Sequence, residues 1–261
     1  LDLKAGEGNI AFFGAIGNPL SQLGILSLTY NGDVNINPAT GEPWQAGDEY
    51  RFIFVTSGIT NALSFNIQDY NDFVQNYANA SHLGIGADQG IDWNAIVSTE
   101  PLAADQITQA QGNTNTTPDG AGGGETIYLL DGSTVIAINY DDLWDGSIEN
   151  PIGRTEILTI PEFGPGDNNY GSIWTGINLT GNSGGLGDLD GTTRGGQWNQ
   201  TGTKWLSQYT MTTDREFPLY ALSDPLTVSG GPLGDITVHS AGDVDLKSTV
   251  KAASFTQLSG Q

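Results

Sequence analysis

Two segments near opposite ends of the chain resemble each other, and this similarity constrains the fold more than any other feature. Residues 26–36 read LSLTYNGDVNI and residues 236–246 read ITVHSAGDVDL, so both alternate apolar residues and then turn at Gly-Asp-Val. Short strands with Gly-rich turns that recur about every 20 residues are typical of the stacked rungs of a parallel β-solenoid. The sequence therefore predicts β-solenoid rungs over residues 1–43 and 226–261. Two ordinary hairpins of a β-sandwich are the alternative.

The C-terminal segment also resembles a known class of repeats. Residues 235–259, DITVHSAGDVDLKSTVKAASFTQLS, are similar to the rungs of filamentous-haemagglutinin-type giant bacterial surface adhesins. The resemblance implies rungs that stack on further rungs, either along one long chain or between copies. The chain begins at Leu1 and not at Met, and we therefore expect it to be one unit of a longer repetitive protein.

The composition limits the classes of partner. The chain has 261 residues, with 30 Asp and Glu against eight Lys and Arg and a net charge of −22. Nucleic acids and anionic membranes bind basic surfaces, so neither is an expected partner, and no apolar run is long enough to span a membrane. The absence of cysteine excludes disulfides and thiol catalysis. An acidic, cysteine-free, Asn- and Thr-rich chain is typical of a protein secreted by bacteria or displayed on their surface.

Residues 44–225 differ from both ends and are predicted to form an inserted domain. They hold all six tryptophans and carry 23 acidic and five basic residues, a net charge of −18. A helix is predicted after Asn66, because this residue can cap a helix and apolar residues follow at three-and-four spacing up to Leu83. The other predicted elements are a strand at 50–56, a strand or short helix at 91–99, a helical turn at 141–146, and loops in the polar or Gly-rich stretches 106–124 and 182–196.

Five short motifs of the insert, taken in order, resemble the C-type-lectin-like modules of bacterial surface proteins, and more remotely endostatin. They read DWNAIVST, IYLLDGSTV, YDDLWDGS, SIWTGIN and FPLYALS. The resemblance implies that the first and last strands of the domain pair, that a helix follows the first strand, and that packed tryptophans replace the disulfides of the animal family. The predicted fold class is thus mainly β with an α+β insert: parallel β-solenoid rungs at both ends flank a C-type-lectin-like domain.

Calcium is the cofactor that the acidic loops of the insert indicate. Asp188 and Asp190 alternate before a glycine, and Asp141 with Asp145 forms a second group of oxygen donors. Ca²⁺ takes six to eight oxygen ligands, which closely spaced carboxylates in a loop can supply. The EF-hand pattern is incomplete, so a solvated acidic loop is the alternative.

Sugar binding is the second candidate activity of the insert. Calcium-dependent lectins of the resembled fold use a Glu-Pro-Asn loop and a Trp-Asn-Asp segment, whereas residues 149–151 here read Glu-Asn-Pro and residues 198–200 read Trp-Asn-Gln. Trp198, Asn199 and Trp205 are the candidates for contact with a glycan, because an exposed indole can stack on a sugar ring. Burial of both tryptophans in the core is the alternative.

Catalysis is the least favoured of the activities that the sequence allows. The carboxylate pairs Asp141/Asp145 and Glu216/Asp224 have the residue types of a glycosidase acid and base, but nothing in their spacing is specific. We therefore expect a non-enzyme: an extracellular structural or adhesive module of a repetitive bacterial surface protein, which assembles with copies of itself or adjacent repeats into a fibre or sheath. A calcium-dependent glycan-binding adhesin and a polysaccharide-degrading β-solenoid enzyme are the alternatives.

Overall fold

The computed structural model describes residues 37–38, 40–42, 44–161, 171–179, 184–188, 191–228, 236–238 and 255–257. Most of the predicted solenoid rungs, as well as Asp190, lie outside these residues. The described part is mainly β-sheet with a few helices. The chain divides into two units, Glu49–Leu226 and the two ends Leu1–Asp48 with Thr227–Gln261, whereas the sequence predicted an insert over 44–225.

The strand β1 (Glu49–Val55) lies at the centre of the larger sheet. Residues 50–55 are all buried, as expected for a strand with neighbours on both sides and covered faces. The order along the sheet is β2-β8-β1-β3-β4, and a short strand β9 also pairs with β1. β1 is parallel to β3 and antiparallel to β8. The bounds are Trp93–Ala95 for β2, Thr126–Leu129 for β3, Val135–Ala137 for β4, Tyr220–Ser223 for β8 and Leu226–Thr227 for β9.

A second sheet contains three antiparallel strands in the order β5-β6-β7. Their bounds are Ser172–Trp174, Thr192–Gln197 and Tyr209–Thr212. The loop predicted over 182–196 is therefore wrong at its C-terminal end, where β6 runs. A Cβ atom on Gly196 would overlap the carbonyl oxygen of Trp205, in the 3₁₀ turn Thr203–Trp205. The glycine is in the strand because another backbone approaches it closely.

The first helix, α1 (Ile67–Ala80), begins as predicted. The Asn66 side chain accepts a hydrogen bond from the Gln68 backbone N–H at 3.2 Å, and so caps the helix. The helix ends earlier than predicted, with Ser81 as its C-cap. Its fully buried side is formed by Tyr70, Asn71, Val74 and Ala78, whereas Ile67, Phe73 and Tyr77 of the predicted apolar stripe are only partly buried.

The second helix, α2 (Ala103–Thr114), occupies a stretch whose larger part was predicted to be a loop, and that prediction is wrong. Its inner face is partly polar. Ala110 and Ile107 pack in the core, whereas Gln106 is fully buried and accepts from the Asn178 N–H at 2.7 Å, and Asn113 donates to the Ala95 carbonyl at 2.8 Å. Amide side chains with several hydrogen bonds thus hold α2 against the sheet. The third helix, α3 (Tyr140–Trp144), is the predicted helical turn.

Tryptophan packing fills the core of the unit Glu49–Leu226, here called the central unit. The absence of cysteine predicted such packing. Trp174 and Trp205 are fully buried and Trp93 is 2% exposed. The ring centroid of Trp93 lies 4.7 Å from that of Phe54, and the ring centroid of Trp205 lies 5.6 Å from that of Tyr220. Among the described residues, no helix has the length and apolar character that crossing a membrane requires.

Two short strands near the C-terminus form a separate pair. The strand β10 (Ile236–Val238) is parallel to β11 (Phe255–Gln257), and Ile236 is the partner of Phe255. Parallel strands require a crossover connection and cannot be joined by a tight hairpin turn.

Candidate functional site

A surface cavity of about 510 Å³ lies where three stretches of the central unit meet. The stretches are the β3–β4 turn, the segment that ends at Arg154, and the two residues that follow β6. Ile160 adds an exposed apolar side chain. The lining includes Asp131, Thr134, Asn150, Arg154, Trp198 and Asn199.

The β3–β4 turn presents an acceptor to the cavity. The Asp131 carboxylate accepts from the backbone N–H groups of Ser133 and Thr134, both at 2.8 Å, and from the Thr134 hydroxyl at 2.7 Å. Partial desolvation raises the pKa of Asp131, but the hydrogen bonds from Thr134 and Ser133 outweigh this effect and hold the pKa below its usual value. Asp131 is therefore an ionised carboxylate at neutral pH, in a fixed orientation.

The segment from Asn150 to Arg154 is hydrogen-bonded to strands β1 and β4. The Arg154 carbonyl accepts from the Val55 N–H at the end of β1, at 2.8 Å. The Asn150 side-chain amide donates to the Val135 carbonyl of β4 at 2.9 Å, so its own carbonyl oxygen can accept from another group. The Arg154 side chain is exposed. This segment thus places a guanidinium and an amide oxygen at the cavity on a rigid support.

Trp198 belongs to the hydrophobic core and reaches the cavity with only a small part of its side chain. The side chain is only 5% exposed, and a Cβ atom on Gly153 would lie 3.5 Å from two atoms of its six-membered ring. Asn199 follows it and is half-buried. The structure therefore places Asn150 and Pro151 in the same cavity as Trp198 and Asn199. These residues belong to the two segments, 149–151 and 198–200, whose sequences differ from the lectin motifs.

Trp205 is not a surface residue, and its prediction as an exposed sugar-stacking ring is wrong. It is fully buried between Trp144 and Tyr220, with ring centroids 6.2 and 5.6 Å away. A ring with no exposed face cannot stack on a ligand. Both tryptophans belong to the hydrophobic core, as the alternative prediction had it, and of the two only Trp198 also lines the cavity.

The carboxylates of Asp141 and Asp145 accept hydrogen bonds from nearby backbone groups, and calcium at these two residues stays a prediction. Asp141 accepts from the backbone N–H groups of Gly120 and Gly122 at 3.0 and 2.7 Å, and Asp145 accepts from the Ser147 N–H at 2.8 Å. Oxygens that face N–H donors shape loops. Within the described residues, no group of three His, Cys, Asp or Glu side chains can hold a metal. Asp188 is half-buried, and calcium at Asp188 and Asp190 stays a prediction.

A second cavity, of about 340 Å³, is lined by acidic and amide side chains at the β2–β8 edge of the larger sheet. Asp224 lies in it with Asp72 and Asp92, whereas its predicted catalytic partner Glu216 is not among the lining residues. Partial burial raises the pKa of Asp224; the positive charge of Arg51 opposes this rise and the negative charge of Asp92 adds to it. The lining comprises Gln68, Asn71, Asp72, Gln75, Asp92, Trp93, Asn94 and Asp224.

Trp198 and Asn199 on one side of the first cavity were predicted from the sequence, whereas Asp131 and Arg154 on the other side were not. Asp131 and Arg154 stand 23 positions apart, on segments without a shared motif, so only the fold shows that they line one site. The Asp-Gly turn at 131–132 and the rarity of basic residues in the insert were the available signals. No known protein-family model matches the chain, and no curated protein matches it either.

Proposed function

We propose that the chain is an extracellular adhesive module of a bacterial surface protein and that its central unit binds a saccharide in the cavity beside Trp198. The observation that carries the proposal is the combination of an apolar surface, formed by Ile160 and the small exposed part of Trp198, with fixed polar groups around one cavity. Saccharides present hydroxyls around a partly apolar ring, and a site that binds them needs both kinds of surface.

The size and chemistry of the cavity agree with this proposal. Its volume of about 510 Å³ lies within the range of small-molecule sites, roughly 300–1,000 Å³. Asp131 and Asn150 supply acceptors for hydroxyl groups, and Arg154 supplies donors. These groups are attached to the ends of β1, β3 and β4, so the site is largely formed before a ligand enters, which reduces the entropy lost on binding.

The direct test is a glycan array probed with the full chain, in calcium and in a chelator. A hit is then titrated by calorimetry against the wild-type chain and Asn199→Ala, and we expect the variant to bind about three- to tenfold more weakly through the loss of one hydrogen-bonding side chain. Asn76→Ala on the exposed side of α1 is the control and should bind as wild type does. An array without hits, or equal loss in both variants, contradicts the proposal; hydrolysis of a bound glycan contradicts a purely adhesive role.

Pairing of the first and last long strands supports the C-type-lectin-like part of the proposal. β1 and β8 are antiparallel neighbours, and α1 follows β1 in the chain. Both features are those that the resemblance implied. They place the two ends of the central unit on adjacent strands, as an inserted domain requires.

A second proposal, stacking of the end segments into a fibre or sheath, rests on β10 and β11. Ile236 pairs in parallel with Phe255, so corresponding residues are 19 positions apart, close to the spacing of about 20 residues that is expected for the rungs. Rungs at an open end pair with further rungs of the same protein or of another copy. Electron microscopy and sedimentation of the full chain test this: filaments or concentration-dependent oligomers are expected, and a monomer at every concentration, with and without calcium, contradicts it.

A further inference from the structure

We infer that the saccharide bound beside Trp198 carries a carboxylate and that the Arg154 guanidinium binds it. This inference rests on the proposed saccharide site. It assigns the ligand to the class of acidic sugars, such as uronic acids, and gives Arg154 the role that separates them from neutral sugars.

The Arg154 side chain differs from those of the other arginines of the central unit, because it has no hydrogen-bond or ion-pair partner among the described residues. Arg51 forms an ion pair with Glu125 at 3.0 Å, and Arg194 donates to the Thr210 hydroxyl at 2.8 Å. Arg215 lies over the ring of Phe217, with 5.4 Å from the guanidinium carbon to the ring centroid. The Arg154 backbone is fixed by Val55, and its side chain lines a cavity in which a ligand could pair with it.

The ionised Asp131 in the same cavity does not satisfy the charge of Arg154. The two side chains form no ion pair within 4.0 Å, and the Asp131 oxygens already accept four hydrogen bonds from Ser133 and Thr134. One Asp131 oxygen accepts only the Thr134 hydroxyl, so it has room for one more donor. The cavity thus presents an acceptor suited to a sugar hydroxyl and, separately, a cation suited to an anion.

A carboxylate suits this arrangement. A guanidinium is planar and binds a carboxylate through two parallel N–H···O bonds, and a carboxylate on a pyranose is displayed at the rim of the ring. The apolar face of the same ring can then lie against Ile160 and the small exposed part of Trp198. The chain has a net charge of −22, so an acidic sugar is repelled by the protein as a whole, and a local cation is required for it to bind.

The test compares an oligogalacturonate with its carboxyl-reduced counterpart, because the two differ only in the carboxylate. Calorimetry with the full chain is expected to give at least tenfold tighter binding of the acidic oligosaccharide. Arg154→Gln should remove that preference, weaken binding of the acidic form about tenfold, and leave binding of the reduced form within about twofold. Lys204→Gln is the matched control, since Lys204 is also exposed and its loss changes the net charge equally.

The possible results separate this inference from the proposed function. Equal binding of both oligosaccharides, or equal effects of Arg154→Gln and Lys204→Gln, overturns the role of Arg154 and leaves a saccharide site. A sulfated oligosaccharide without carboxylates that binds as tightly as the uronate overturns the assignment to carboxylate alone. No binding of any of these saccharides, together with an array without hits, overturns both the inference and the proposed function.

Discussion

Arg51 Nε donates to the Glu125 carboxylate at 3.0 Å, although the Arg51 side chain is fully buried. The guanidinium also donates to the carbonyl oxygens of Thr114 at 2.6 Å, Ser223 at 3.2 Å and Asn115 at 3.3 Å. A single cation on the central strand therefore binds the C-terminal end of α2 and the end of β8. Cations near the last carbonyls of a helix are favourable because of the helix dipole.

Replacing Arg51 is expected to be strongly destabilising. Arg51→Met removes the cation and leaves three buried carbonyls and the Glu125 carboxylate without it, and breaking a buried pair in this way costs about 3–5 kcal/mol. Urea denaturation of the full chain measures the change in the free energy of unfolding. Arg154→Met is the matched control and should change that free energy by about 0.5 kcal/mol or less, because Arg154 is exposed. Equal effects of both substitutions would contradict a structural role for Arg51.

The close approach of β6 to the 3₁₀ turn at Thr203–Trp205 predicts a second sensitive position. Gly196→Ala places a methyl group against the Trp205 backbone, which must move, and we expect a loss of about 1–3 kcal/mol in the free energy of unfolding. Gly202→Ala, in the same region, meets no atom within 4 Å and should be tolerated. Thermal unfolding of both variants checks the difference, and similar melting temperatures would show that the contact is unimportant.

The elements that sequence reasoning found are those whose side chains carry an apolar signal. β1 is apolar from Phe52 to Val55 because it is covered on both faces, and α1 has a capping residue and an apolar stripe. The missed helix α2 has a weaker signal: its N-cap residue Leu102 makes no capping hydrogen bond, and its inner face mixes the amide of Gln106 with the apolar Ala110 and Ile107. Hydrophobic periodicity is weak in a helix that is held partly by hydrogen bonds.

The cavity was only partly predictable for a different reason. Trp198 and Asn199 attract attention by residue type, but the wall opposite them comes from a turn and a segment distant in the sequence. Glycine in β6 likewise indicated a loop, since glycine is frequent in turns, although here it reflects the close approach of a neighbouring backbone. Contacts between segments decide both features, and they depend on the whole fold.

An exposed glycine inside α2 predicts a stabilising substitution. Gly112 lies within the helix, is exposed, and a Cβ atom there would contact nothing within 4 Å. Alanine restricts the unfolded chain and favours the helix, so Gly112→Ala should raise the free energy of unfolding by about 0.5–1 kcal/mol. Gly120→Ala is the control, because its φ of +71° disfavours alanine and should make the substitution destabilising. A destabilised Gly112→Ala variant would contradict the helical assignment of this stretch.

Two aspartates are expected to change the pH dependence of stability in opposite directions. The pKa of Asp131 is lowered in the folded chain, so its carboxylate stabilises the fold above the ordinary value of 3.8, and this contribution disappears as the pH falls below that value through the folded pKa. The pKa of Asp224 is raised, so its ionisation destabilises the fold, and this penalty develops as the pH rises above 3.8 through the folded pKa. The contribution of Asp131 is complete above its ordinary value of 3.8, and that of Asp224 is complete only above its folded pKa.

Asn substitutions at these two positions test the opposite signs within one protein. At pH 7, Asp131→Asn should lower the free energy of unfolding and Asp224→Asn should raise it, and both differences from the wild-type chain should shrink as the pH falls through the folded pKa of Asp224 and below 3.8 toward the folded pKa of Asp131. Urea denaturation at a series of pH values measures the two curves. Each variant loses one negative charge, so a general effect of the net charge of −22 would shift both curves in the same direction. Shifts of the same sign would therefore show that overall repulsion, and not the local environment of each carboxylate, controls the pH dependence.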